Sequence, residues 1–246
     1  MADKYMSMTE HIHELRRRLM IVAIGFVIAF VVGFFLSKPL ILYLQKAEEA
    51  KGVAMNAFRV TDPLNIFIQM AFVIGIIIAL PLILYQIWAF IAPGLYKKEQ
   101  KVTLAFIPLA VLLFLGGLAF SYYILFPYTL NFMGNLSTSL NIESEIGINE
   151  YFRFLLQITL PFGFVFQLPI LVMFLTRLGL VTPALLHRIR KYAYFVLLIM
   201  AGFITPPDVI SQLIVMVPLV ILYEVSIVIS RMAYRQKIKS LTNENQ

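Results

Sequence analysis

Six apolar runs separated by short polar segments constrain this chain more than any other feature. They are Leu19 to Leu36, Ile66 to Ala92, Val102 to Phe126, Phe152 to Thr176, a shorter Tyr192 to Ile204, and Val209 to Ser230. Crossing about 30 Å of hydrocarbon takes roughly 20 residues of helix at about 1.5 Å each. Inside lipid every backbone N–H and C=O must be satisfied within the protein, which leaves helices or closed barrels. Runs of this length and continuous apolarity predict helices. The expected fold is therefore all-α: a polytopic membrane protein with six transmembrane helices and one integral membrane domain over residues 1–246.

Composition excludes the soluble alternatives. Hydrophobic residues make up 61% of the chain and charged residues 13%, against about half and a quarter in soluble domains. The net charge of +7 does not point to nucleic acid, because the basic residues flank the apolar runs, where they set membrane orientation. The chain has no cysteine, so neither a disulfide framework nor a thiolate metal site is available. The first run is read as a retained helix. It is too long for the core of a cleaved signal peptide, and Gly33 to Pro39 offer no small-x-small cleavage pattern.

Orientation follows from Lys and Arg. Lys4, Arg16, Arg17 and Arg18 precede the first run, and Lys97, Lys98 and Lys101 follow the second. Arg177, Arg188, Arg190 and Lys191 lie between the fourth and fifth, and Arg231, Arg235, Lys237 and Lys239 follow the sixth. The opposite side has Lys38, Lys46, Lys51, Arg59 and Arg153. Its segment from Pro127 to Tyr151 has no basic residue but contains Glu143, Glu145 and Glu150. This asymmetry predicts that both termini are cytoplasmic, which requires an even number of spans and so includes the short fifth run.

Residues 7–18 read as an interfacial amphipathic helix. Ser7 and Glu10 fit a capping box, and Met8, Ile12, Leu15 and Leu19 form an apolar stripe. The last two runs are joined only by Thr205, Pro206, Pro207 and Asp208, a tight hairpin signal. At about 20 Å the fifth run is shorter than the bilayer core. Pro206 and Pro207 are thus expected below the outer surface, with the membrane thinned around them.

Polar residues inside the runs need a reason. Glu224 is the acidic residue deep in a span, where burial favours a neutral, hydrogen-bonded acid; Gln167 is the candidate partner. Gln69, Gln86, Gln157, Gln167 and Gln212 read as interhelical glue worth about 1 kcal/mol each. Pro81, Pro108, Pro161, Pro169 and Pro218 fall within runs, where proline kinks a helix. Broken helices binding an ion at mid-membrane would mark a secondary transporter, but that reading needs paired repeats and several intramembrane charges. A scaffold without a peptide ligand is the other alternative. There is no phosphate-binding G-x-x-x-x-G-K-[ST] loop, and His11, His13 and His187 lack zinc-site spacing. No enzyme activity, cofactor or metal is expected. Glu14, among basic residues at the membrane edge, can pair with Arg18 at i+4. Glu99, in a basic loop, reads as a surface ion-pair partner.

Three stretches resemble the TatC family of the twin-arginine protein translocase: His13-Glu14-Leu15-Arg16-Arg17-Arg18-Leu19, the segment from Pro81 through Trp88, Pro93 and Tyr96 to Glu99, and Thr205-Pro206-Pro207-Asp208-Val209-Ile210-Ser211-Gln212. The resemblance implies a non-enzymatic receptor in the bacterial inner membrane. It would bind twin-arginine signal peptides of folded cargo and recruit small single-span subunits of TatA/TatB type for export driven by the proton-motive force. It also implies a homo-oligomer within a larger complex, in contact with lipid and not with nucleic acid. Glu14 and Glu99 would carry arginine recognition, with Arg16, Arg17 and Phe90 nearby. Thr205, Asp208, Gln212 and Glu224 would serve partner helices or the moving segment, and Pro81 would shape the second span. At Gln167 many relatives have a glutamate, so a mechanism needing an ionisable group there does not transfer.

Overall fold

The structure is a computed structural model, described over residues 8–47, 55–94, 100, 103–142, 145–204 and 209–244. The elements in chain order are α1 (Met8–Lys46), β1 (Met55–Asn56), α2 (Asp62–Ile91), α3 (Ile107–Phe120), α4 (Phe126–Ser139), β2 (Ile146–Gly147), α5 (Ile148–Val165), α6 (Leu168–Leu178), α7 (Pro183–Ile204) and α8 (Val209–Glu244). Among the described residues the fold is all-helical apart from one parallel pair, in which Met55 faces Ile146 and Asn56 faces Gly147.

Among the described residues, five stretches are long and apolar enough to cross a membrane: Ile12–Lys46, Asp62–Ile91, Ile107–Ser139, Ile148–Leu178 and Val209–Arg235. α7 has the length, at 22 residues, but its first half carries Arg188, Arg190 and Lys191. Only the stretch from Tyr192 onward is apolar.

The chain divides into two compact units, Met1–Lys46 with Leu64–Val111 and Ala47–Pro63 with Leu112–Gln246. In the first, α1 runs unbroken for 39 residues, so the amphipathic N-terminal stretch and the first apolar run are one helix. α1 packs on α2 through small residues, as helices do where lipid offers no hydrophobic drive. A Cβ on Gly33 would lie 2.6 Å from the Ala71 carbonyl oxygen. Beside it, buried Ser37 donates to Gly33 O at 2.7 Å.

The second unit has an aromatic interior of Phe114, Phe126, Tyr151, Phe152 and Phe162, all buried. Phe126 and Tyr151 meet edge-on at 5.3 Å. A Cβ on Gly117 would lie 2.6 Å from Phe162 O, so α3 approaches α5 to backbone contact. Thr176 and Ser230 hydroxyls join α6 to α8 at 2.8 Å, and Tyr223 Oη donates to Leu186 O at 2.9 Å, joining α8 to α7.

Helices of the first and last runs continue past the apolar residues, to Lys46 and Glu244; in two other runs a proline decides the outcome. The run Phe152–Thr176 is split at Phe166 and Gln167 into α5 and α6. Pro169 cannot donate to Val165 O, and its ring crowds that carbonyl; Val165 is the last residue of α5. The run ending at Phe126 continues helically to Ser139. Pro127 would break an α-helix there, but Ser121–Leu125 form a π-helical turn in which Phe126 N–H reaches back to Ser121 O. The wider turn absorbs the missing donor. Pro108 and Pro169 occupy first turns, where no helical bond is lost, whereas Pro81, Pro161 and Pro218 are interior.

Candidate functional site

The first unit assembles a polar cluster at the N-terminal end of α1 and the C-terminal end of α2. Glu14 and Arg18 are one helical turn apart, so they share a face. Arg18 donates to Glu14 Oε1 twice, from Nε at 3.1 Å and from Nη2 at 2.5 Å. Its Nη1 donates to Gln86 Oε1 at 3.2 Å. Both charged side chains are shielded, Glu14 at 18% and Arg18 at 22% exposed, and Gln86 is buried. Glu14 Oε2 is also buried and has no hydrogen-bond partner among the described residues. An unpaired carboxylate oxygen out of solvent is costly.

The same end of the unit is braced by polar side chains. Trp88 Nε1 donates to Thr103 Oγ1 at 3.0 Å, and Thr103 Oγ1 donates to Gln100 O at 3.1 Å. Gln100 Nε2 donates to Ala92 O at 2.8 Å. Phe90, on the last turns of α2, is half-buried; Arg16 and Arg17 are exposed. Glu99 lies outside the described residues. Pro81 is exposed in the interior of α2.

The second unit carries a separate cluster between α7 and α8. Arg190 Nη2 donates to Glu224 Oε2 at 2.7 Å, and Tyr194 Oη donates to Oε1 at 2.5 Å. The expectation that Glu224 faces Gln167 is corrected here: both carboxylate oxygens are held by α7, through Arg190 and Tyr194. Arg190 reaches Glu224 from the basic first half of α7 on a long stem, a reach that the apolar pattern around Glu224 does not reveal. Further along the same pair of helices, Gln212 Nε2 donates to Leu198 O at 3.4 Å. Gln167 lies at the junction between α5 and α6, its N–H on Phe164 O and its carbonyl accepting from Leu171 N. Thr205, Pro206, Pro207 and Asp208 lie outside the described residues, as does Ser7 of the expected capping box.

Sequence reasoning anticipated the Glu14–Arg18 contact and missed its third member, Gln86, which it read only as glue. It also missed Arg190, Tyr194 and Asp62. Asp62 is buried at the start of α2 and accepts from Phe58 N at 3.0 Å and Arg59 N at 2.8 Å. The Asp-Pro pair opening an apolar run was the available signal for that turn.

Residues 10–218 match the family model described as Sec-independent protein translocase protein (TatC). The chain is similar to the Sec-independent protein translocase protein TatCy of Bacillus subtilis strain 168, at 61% identity over 96% of this chain and 92% of that protein. It is 56% identical to TatC of Halalkalibacterium halodurans over 99% of this chain and 97% of that one. Among solved structures it resembles the crystal structure of a twin-arginine translocase receptor TatC, with a TM-score of 0.76 and 34% identity over 91% of this chain and 99% of that one.

Proposed function

Because this chain belongs to the TatC family of Sec-independent protein translocase proteins, we propose that it is the membrane receptor that binds the twin-arginine signal of folded cargo, with Glu14 and Glu99 gripping the two arginines. It is a multi-pass membrane protein and a translocase component rather than an enzyme. Its seat is the bacterial inner membrane, with both termini cytoplasmic and one integral membrane domain over 1–246. It recruits small single-span subunits of TatA/TatB type and assembles with further copies of itself. Gln167, Gln212 and Glu224, with Thr205 and Asp208, serve those partner helices or the moving segment.

The observation that carries this reading is the shielded Glu14 carboxylate with Oε2 unpartnered. A guanidinium offers a planar fork of donors that an ammonium cannot copy, so carboxylates held in place can separate Arg-Arg from Lys-Lys. The bond from Gln100 to Ala92 O supports Glu99 as the second carboxylate, because it ties the residue after Glu99 to the end of α2. Phe90 offers an apolar contact beside the arginines, and Arg16 and Arg17 line the same helix end. Six helices are too few to enclose a folded domain, whose radius of gyration is about 13 Å for 100 residues, so partner subunits complete the passage.

The test is binding of a photo-crosslinkable peptide with two consecutive arginines to the purified full chain. Each charge-assisted hydrogen bond is worth about 1.5–3 kcal/mol, so Glu14→Gln and Glu99→Gln are each expected to weaken binding about tenfold or more, and the pair to nearly abolish it. Glu10→Gln is the control. If it is as damaging as Glu99→Gln, general charge on that face governs binding and the two-carboxylate site is wrong.

A further inference from the structure

The carboxylate assigned to ligand arginine already holds an arginine. Arg18 places two donors on Oε1 of Glu14 and a third on Gln86. Gln86 is only 9% exposed, so packing of the unit fixes this anchor. The neighbouring Arg16 and Arg17 are exposed and show no such bond among the described residues. We propose that Arg18 is an internal stand-in for the ligand guanidinium: it neutralises Glu14 in the empty receptor, lowers the affinity for any cation, and sharpens the preference for arginine over lysine. The inference rests on the reading of Glu14 as a signal-binding residue and assigns a positioning role to Arg18 and Gln86.

The geometry carries the argument. An approaching cation meets a Glu14–Arg18 pair rather than a bare anion, so long-range attraction is cancelled and close contacts decide. Only Oε2 is open. To grip both oxygens in the fork-to-fork manner, a ligand must move Arg18 off Oε1. A guanidinium replaces the two donors that Arg18 withdraws. An ammonium is a compact point charge without that fork and does not repay the displacement. Gln86 retains Nη1 of Arg18 when Oε1 is released, so the displaced guanidinium still has an acceptor.

The experiment compares the full chain with Arg18→Gln, Arg18→Lys and Glu14→Gln in lipid nanodiscs. The probes are two fluorescent peptides that differ only in an Arg-Arg or Lys-Lys pair. Arg18→Gln is expected to bind the Arg-Arg peptide about tenfold more tightly and to lose several-fold of the Arg-over-Lys preference. The gain should shrink as salt is raised, because the freed carboxylate attracts through charge; a merely structural role for Arg18 would not produce that dependence. Equal or weaker Arg-Arg binding, or an undiminished preference, overturns the proposal. If Arg18→Gln does not fold, Arg18→Lys decides. It keeps the charge but loses the fork, so the Arg-Arg peptide should displace it more easily and bind more tightly than to wild type; equal or weaker binding overturns the stand-in role. Glu14→Gln separates the two levels. If it weakens Arg-Arg binding while the Arg18 variants do not behave as stated, only the stand-in role falls. If it leaves binding unchanged, the reading of Glu14 falls with it.

Discussion

At the residue scale, one ion pair lies within a helix, Glu14 with Arg18, and another joins two helices, Arg190 with Glu224. Glu14 and Arg18 lie at i and i+4, a spacing that declares contact in the sequence itself. Arg190 and Glu224 are 34 residues apart, and nothing local links them. Both side chains are more than a third exposed, so the pair contributes modestly, about 0.5–1 kcal/mol by a double-mutant cycle with Arg190→Leu and Glu224→Gln in detergent. Arg190→Leu alone should destabilise slightly more than the double variant, because it leaves a part-buried carboxylate without its counter-ion. Thermal unfolding of the four proteins checks this, and additive effects would show that the pair is not coupled. Glu224→Gln alone keeps an acceptor for Tyr194 Oη and should be the mildest change.

At the element scale, the apolar runs located helices but not their seams. Pro169 splits one run and Pro127 does not split another, and the difference lies in whether the preceding turn widens. Pro169→Ala restores a donor opposite Val165 O, so α5 and α6 are expected to fuse through Phe166 and Gln167. Amide hydrogen exchange at residues 166–170 should slow by tenfold or more if the junction becomes a continuous helix; unchanged exchange would show that the break is set by packing rather than by proline. Gly33 and Gly117 show the same limit from the other side. A glycine in an apolar run reads as a weak helix position, yet each allows a backbone approach that a Cβ would block at 2.6 Å. Gly33→Leu or Gly117→Leu should cost about 1–3 kcal/mol through overpacking, measured as loss of folded protein in a detergent melt.

At the scale of the whole molecule, the distribution of Lys and Arg predicts sidedness. α4 ends at Ser139, in the segment without basic residues. With no native cysteine, a Ser139→Cys variant should be labelled by an impermeant thiol reagent from outside intact cells, and Arg235→Cys only after permeabilisation. The reverse pattern would overturn the topology. α7 makes the count depend on physics beyond hydropathy. Its first half carries Arg188, Arg190 and Lys191, and the 13 residues from Tyr192 to Ile204 reach only about 20 Å. It completes an even number of spans only if its far end stops short of the opposite surface.

The sequence by itself determined the helical class, the membrane habit and the charge asymmetry, because those are sums over many residues and lipid permits few backbone solutions. It also located the Glu14–Arg18 pair, because helical spacing is local. Tertiary structure alone decided what lies across from two polar groups: Gln86 beside Arg18, and Arg190 and Tyr194 around Glu224. These partners lie 30 to 68 residues apart in sequence. In a chain that is apolar nearly throughout, hydrophobic pattern does not distinguish the face of a helix that meets lipid from the face that meets another helix. That distinction is made by close approach at small residues and by the pairing of the few polar side chains, which exists only once the helices have packed.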